Sequence, residues 1–228
     1  MSSGFFNDKA AAPEKSKTGR ILFAMDATAS RSHTWQSVSA IHKDMFSAIN
    51  GIGELEVMLM YFRGLSECRA APWLKDQATL LKLLDKVTCE MGETQILRVL
   101  EHASKEHDKA PVHAIIYIGD FCEEEFAGIE TKAEILGMKK VPIFVFHDQS
   151  GENSLLFGRN PETKAIFKYM AEATKGAYMH LDTRSSKILS HLLQAVAIYA
   201  TGGRKALENY SKQKGVNDAV LQLTAQLG

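Results

Sequence analysis

Hydrophobic residues are concentrated in short continuous runs along this chain of 228 residues. Near-continuous apolar runs of this kind are typical of strands that are buried on both faces of a sheet. Such runs predict five strands, at 20–25, 55–62, 112–119, 141–147 and 176–181. A further short strand is expected at the sheet edge, at about 67–71, after a hairpin turn at Gly64.

The segments between the runs repeat apolar residues every three or four positions, which is the spacing of one helix face. Helices are expected at 33–49, 76–88, 95–108, 123–138, 160–176 and 185–212. Strands that alternate with helices predict an α/β fold, with a doubly wound, Rossmann-like, mostly parallel six-stranded sheet and helices on both faces. Ligands of such folds bind at the carboxyl ends of the strands, where the winding direction reverses.

The same patterns divide the chain into three regions. Residues 1–19 are expected to form a flexible N-terminal tail, residues 20–200 the α/β domain, and residues 201–228 a C-terminal helical extension. Gly202 and Gly203 open the extension and predict a break or kink there. The last apolar residues predict a short helix that either packs on the domain or docks on another protein.

The composition narrows the class of protein. Lys and Arg together number 27, as do Asp and Glu, so the formal net charge is zero and nonspecific nucleic-acid binding is not expected. The three cysteines lie far apart without a CxxC pair, which gives no support for a disulfide framework or a zinc site. The N-terminus has no apolar core of signal-peptide length, and no later apolar run is long enough for a membrane span, so the protein is expected to be cytoplasmic.

A carboxylate and two hydroxyls follow the first predicted strand. Asp26 ends the strand, and Thr28 and Ser30 follow at alternate positions in the sequence DATASRSH. This sequence has no glycine and the chain has no GxxxxGK[ST] motif, so neither a dinucleotide-binding loop nor a P-loop is expected. Oxygen ligands suit Mg²⁺, which prefers about six of them. Asp120, in YIGD, supplies a second carboxylate if the strand at 20–25 and the strand at 112–119, the fourth when the short strand at 67–71 is counted, flank the point of reversal. Thr94 can supply a third hydroxyl.

The sequence DATAS, with Thr94 in GETQI and Asp120 in YIGD, resembles the metal-ion-dependent adhesion site (MIDAS) of von Willebrand factor type A (vWA) domains, in particular the intracellular bacterial type. The family pattern is DxSxS, a loop threonine and an aspartate after the fourth strand, and the likeness covers roughly residues 18–200. It implies a site for Mg²⁺, or else Mn²⁺ or Ca²⁺, made of Asp26, Thr28, Ser30, Thr94 and Asp120. Threonine at position 28, where serine is commoner, keeps the hydroxyl and adds a methyl group that stiffens the side chain.

The function that the resemblance implies depends on one open coordination position of the cation. An acidic side chain of another protein can fill this position, so the resemblance implies a metal-dependent protein-binding module and not an enzyme. The expected partner is a protein that presents a carboxylate, and intracellular relatives allow an AAA-type ATPase or a stress-response complex. A nucleic acid is not expected as a partner, and no membrane span is expected.

Two other hypotheses remain open on the sequence. GDFCEE, at 119–124, resembles the metal motif of haloacid-dehalogenase-like phosphohydrolases, in which Asp26 would be the nucleophile of a magnesium-dependent reaction. That family has a second aspartate as general acid at the position of Thr28, and a threonine cannot protonate a leaving group at neutral pH. The other hypothesis is a vestigial metal site in a domain that serves only as an interaction platform.

Three glutamates follow Asp120 in the sequence CEEEF, at the start of a predicted helix. Acidic residues in the first turn of a helix interact favourably with its dipole, and this is their expected role. A contribution to the surroundings of the metal is the alternative, because the three lie close behind Asp120 in sequence.

Overall fold

The computed structural model describes residues 18–31, 53–149, 161–181, 186–213 and 215–227. The helix predicted at 33–49 and most of the predicted N-terminal tail lie outside these residues. The described strands are β1 (Thr18–Asp26), β2 (Glu54–Arg63), β3 (Glu67–Ala70), β4 (Ala114–Gly119), β5 (Ile143–Asp148) and β6 (Ala177–Leu181). Each predicted strand is confirmed to within two residues at either end.

The six strands form one sheet in the order β3-β2-β1-β4-β5-β6. Neighbouring strands are parallel, except that β3 runs antiparallel to β2 after a turn in which Gly64 has a φ of +58°. The chain therefore adds strands on one side of β1 first and on the other side afterwards. The winding direction reverses between β1 and β4, and this is the doubly wound sheet that the sequence predicts.

Six helices are described, and they cover both faces of the sheet. They are α1 (Gln77–Leu84), α2 (Ile96–Lys109), α3 (Phe126–Met138), α4 (Pro161–Ala173), α5 (Ser186–Ser211) and α6 (Asp218–Gln226). Helices α1, α5 and α6 share one apolar cluster with the sheet, whereas α2, α3 and α4 share the other. None of the helices in the described ranges combines the length and the apolar character that crossing a membrane requires.

Strand β1 explains why the sheet is visible in the sequence as continuous apolar runs. Ile21, Phe23 and Met25 point into one apolar cluster, and Leu22 and Ala24 point into the other. All five side chains are fully buried. Because both faces are covered, polar and apolar residues do not alternate along these five positions.

The C-terminal part of the chain packs on the domain. Helix α5 runs across the predicted boundary between residues 200 and 201 and bends at Gly203, whose φ is +70°. Helix α6 buries Val220 and Leu223 completely in the cluster that it shares with the sheet. Its Gln226 side chain accepts a hydrogen bond from the backbone N–H of Tyr178 (2.9 Å) and donates one to the backbone carbonyl of the same residue (3.1 Å). Gln226 therefore contacts the edge strand β6 as a neighbouring strand would.

Candidate metal site

Two aspartates lie at the carboxyl ends of adjacent strands, at the point where the winding reverses. Asp26 ends β1, and the register of the parallel pair places Met25 opposite Ile118 of β4. Asp120 follows the last residue of β4, Gly119. Adjacent strands are about 4.8 Å apart. The two carboxylates therefore belong to neighbouring strand ends on one edge of the sheet, and Asp26 is fully buried there.

The loop after β1 curls around the Asp26 side chain. Asp26 Oδ1 accepts a hydrogen bond from the backbone N–H of Thr28 at 2.7 Å, which is the geometry of an Asx turn. The hydroxyls of Thr28 and Ser30 lie 3.1 Å apart within hydrogen-bond distance. The short 3₁₀ turn Ala29–Arg31 follows. Local hydrogen bonds thus bring the first three predicted ligands together.

A second loop, between α1 and α2, runs alongside the first. The backbone N–H of Glu90 donates to the carbonyl of Ala27 at 3.1 Å, and Thr28 and Glu90 form an isolated parallel bridge. Four residues further on, Thr94 is almost fully buried. Backbone pairing between the loops therefore brings Thr94 to the edge of the sheet that carries Asp26.

Thr94 is held by a glutamate that the sequence analysis did not place among the ligands. Its backbone N–H donates to Glu123 Oε1 at 2.8 Å, and its hydroxyl donates to Glu123 Oε2 at 3.1 Å. Glu123 lies three residues beyond Asp120, so this contact connects the Thr94 loop to the loop that follows β4. The only signal in the sequence was the position of Glu123 in CEEEF.

The next glutamate caps a helix that is distant in sequence. Gln95 occupies the N-cap of α2 but makes no capping bond, and Glu124 instead accepts hydrogen bonds from the backbone N–H groups of Ile96 and Leu97. Burial raises the pKa of the Glu124 carboxyl above its usual value, although these two N–H donors oppose the rise. The expectation that the acids of CEEEF lie in the first turn of the following helix is therefore wrong for Glu123 and Glu124. Glu123 instead accepts hydrogen bonds from Thr94, and Glu124 caps α2.

Replacing Glu124 by alanine is expected to lower the free energy of unfolding by about 1–2 kcal/mol, because two N–H groups of α2 lose their acceptor. Urea unfolding followed by circular dichroism measures the change. The control is Glu125→Ala, since the exposed Glu125 occupies the N-cap of α3 without a side-chain capping bond. Equal losses in the two variants would contradict the capping role of Glu124.

The donor set fits a hard divalent cation. The five predicted ligands offer carboxylate and hydroxyl oxygens only, which suits Mg²⁺ or Ca²⁺ better than softer metals. Asp120 Oδ1 is buried and has no hydrogen-bond partner among the described residues, a costly arrangement for a carboxylate oxygen. The described ranges contain no group of three or more His, Cys, Asp or Glu residues that could hold a metal, so such a cation would depend on hydroxyls and water beside the two aspartates. That the five residues bind a cation stays a prediction.

Comparison with known proteins gives structural matches only. The sequence matches no family model and no curated protein. Among solved structures, the SpRpn10 VWA domain is 12% identical with a TM-score of 0.56, over 76% of this chain and 94% of that one. The vWF domain of the type V pili tip protein Mfa5 from Porphyromonas gingivalis is 9% identical with a TM-score of 0.57, over 90% and 99% of the two chains.

A third solved structure is the proximal thread matrix protein 1 of the mussel byssus, described with a zinc-occupied MIDAS motif. It is 17% identical with a TM-score of 0.58, and the match covers 80% of this chain and 47% of that protein. At these identities the likeness establishes the fold. The predicted resemblance is confirmed at that level: this chain has the fold of a von Willebrand factor type A domain.

Proposed function

We propose that the chain is a protein-binding module that depends on a divalent cation. Asp26, Thr28, Ser30, Thr94 and Asp120 hold Mg²⁺, or Mn²⁺ or Ca²⁺, and a carboxylate of a partner protein completes the shell. One observation carries the proposal. Asp26 ends β1 and Asp120 directly follows the adjacent parallel strand β4 at the reversal point, and hydroxyls from the neighbouring loops lie at the same edge.

Charge and coordination number support a carboxylate as the partner group. Mg²⁺ takes about six oxygen ligands, and five side chains leave room for one more or for water. Three of the five are neutral hydroxyls, and if one aspartate acts through water, the ligands bound directly to the cation carry a single negative charge and leave Mg²⁺ incompletely neutralised. An anionic oxygen from outside is then attracted to the site, where a neutral ligand would gain less. We expect the module to act in the cytoplasm, with an AAA-type ATPase or a stress-response complex as the class of partner.

Two exposed apolar side chains beside the site give the partner further contact area. Leu65 and Met91 are 78% and 84% exposed. Their loops are joined by a hydrogen bond from the backbone N–H of Glu93 to the carbonyl of Gly64 at 3.1 Å. A partner that reaches the cation beside the Thr94 loop therefore covers one or both of these side chains.

The phosphohydrolase alternative requires the last acid of GDFCEE, Glu124, at the metal. In the structure this carboxylate accepts the N–H groups of Ile96 and Leu97 at the start of α2. Thr28, at the position of the general acid, has its hydroxyl within hydrogen-bond distance of Ser30. The geometry therefore favours the binding module over the enzyme.

Capture of partner proteins tests the proposal. The immobilised protein is incubated with lysate in Mg²⁺ or in EDTA, and bound proteins are identified by mass spectrometry. The wild-type protein is expected to capture a partner in Mg²⁺ but not in EDTA. The Asp26→Ala variant is expected to capture no partner even in Mg²⁺. Substituting both Leu65 and Met91 by serine is expected to weaken the purified pair about tenfold or more, because apolar burial is lost.

The control for this double serine variant is Met138→Ser. Met138 is 76% exposed, but it lies at the end of α3 that is remote from the carboxyl edge of the sheet. The Met138→Ser variant is expected to bind the partner with the affinity of the wild type. A partner that stays bound in EDTA, or that Asp26→Ala retains fully, would refute the metal-dependent mode.

A further inference from the structure

Tyr117 is a buried tyrosine of β4 whose hydroxyl has no assigned role. Its ring is 1% exposed and packs edge-to-face on Phe167 of α4, with ring centroids 5.4 Å apart. The hydroxyl oxygen is buried and has no hydrogen-bond partner among the residues that the structure describes. A buried hydroxyl without a partner destabilises the fold, so its presence calls for an explanation other than packing.

Glycine at position 119 allows this hydroxyl to reach the carboxyl edge of the sheet. Tyr117 and Gly119 lie on the same face of β4, because they are two residues apart along the strand. A Cβ atom at position 119 would lie 2.5 Å from Tyr117 Oη and 2.8 Å from its Cζ. The tyrosine side chain therefore runs along the strand and occupies the space of the missing side chain, directly before Asp120.

Burial, and after it the charges nearby, keep the hydroxyl protonated. The pKa of Tyr117 is raised well above its usual value, by burial first and then by nearby negative charges, with Asp26 and Asp120 among them. The group is therefore a hydrogen-bond donor beside the two aspartates. Asp120 Oδ1, a buried acceptor, also has no hydrogen-bond partner within the described ranges. An unused donor and an unused acceptor thus lie at the same strand end.

We propose that Tyr117 is a positioning residue of the cation site. Its hydroxyl donates a hydrogen bond to a water bound to the cation, since neither of the two described aspartates accepts one from it directly. This inference rests on the proposed function, because it needs a cation at Asp26 and Asp120. Groups that orient the ligands of a metal typically contribute a factor of about 10–100 to its affinity.

The test is Tyr117→Phe, which removes only the hydroxyl oxygen. Calorimetric titration with MgCl₂ and with MnCl₂ measures affinity, and thermal unfolding in EDTA measures the stability of the metal-free protein. The affinity is expected to fall about tenfold. The metal-free melting temperature is expected to stay equal or to rise, because a buried hydroxyl without a partner is removed.

The control is Tyr169→Phe, in which the lost hydroxyl donates to Glu134 between α4 and α3, away from the site. Its affinity for Mg²⁺ is expected to match the wild type. Unchanged affinity in Tyr117→Phe would overturn the inference while the wild type still binds Mg²⁺ through Asp26 and Asp120. A lower metal-free melting temperature in Tyr117→Phe would also overturn it, since the hydroxyl would then stabilise the fold itself. Wild-type protein that binds no divalent cation would refute the proposed function and this inference together.

Discussion

Asp120→Asn and Asp26→Asn are each expected to lower the affinity for Mg²⁺ by at least about 100-fold. Both variants remove one of the two charges that face the proposed cation. Loss of a direct ligand costs more than the 10–100-fold typical of groups that only orient one. Asparagine keeps an oxygen that can still accept the 2.7 Å bond from the Thr28 N–H, so the loop after β1 is expected to persist.

Calorimetric titration measures the affinity, and thermal unfolding with and without Mg²⁺ gives an independent readout. A cation at 100 times its dissociation constant stabilises the fold by about 2.7 kcal/mol, so Mg²⁺ raises the melting temperature of the wild type but not of the variants. Glu125→Gln is the control, because Glu125 is exposed on the same loop as Asp120. Full affinity in Asp120→Asn would remove Asp120 from the site.

Leu223→Ala is expected to lower the free energy of unfolding by about 2–4 kcal/mol. Leu223 is fully buried where α6 packs on the sheet, so truncation leaves a cavity in addition to the lost apolar burial. Chemical denaturation measures the change. Leu221→Ala, on the same helix at 45% exposure, is expected to change stability by less than about 0.5 kcal/mol. Similar losses in both variants would show that α6 is not docked as described.

The strands could be predicted from the sequence because strands buried on both faces appear in it as continuous apolar runs. The five continuous runs fall on five of the strands, and Gly64 marks the turn into β3. Helix bounds were less accurate where tertiary contacts decide them. Helix α3 was expected from residue 123 but begins at Phe126, because Glu123 and Glu124 are engaged by the Thr94 loop and by α2.

For the site, the sequence predicted which residues come to one edge but not how they are held there. Asp26 and Asp120 could be placed because strand ends and the reversal point follow from the alternation of strands and helices. The contact between Thr94 and Glu123 joins residues 29 positions apart. The position of the Tyr117 hydroxyl depends on the missing side chain of Gly119. Such contacts leave no periodic pattern, so sequence reasoning missed them.

The Gln226 amide has a consequence for self-association. An edge strand offers its free N–H and C=O groups to any other extended chain, which makes it a starting point for aggregation. At Tyr178 both groups are already satisfied by one side chain from α6. Helix α6 therefore blocks intermolecular strand pairing at this point of β6, and its removal would expose these backbone groups together with the apolar surface that α6 covers.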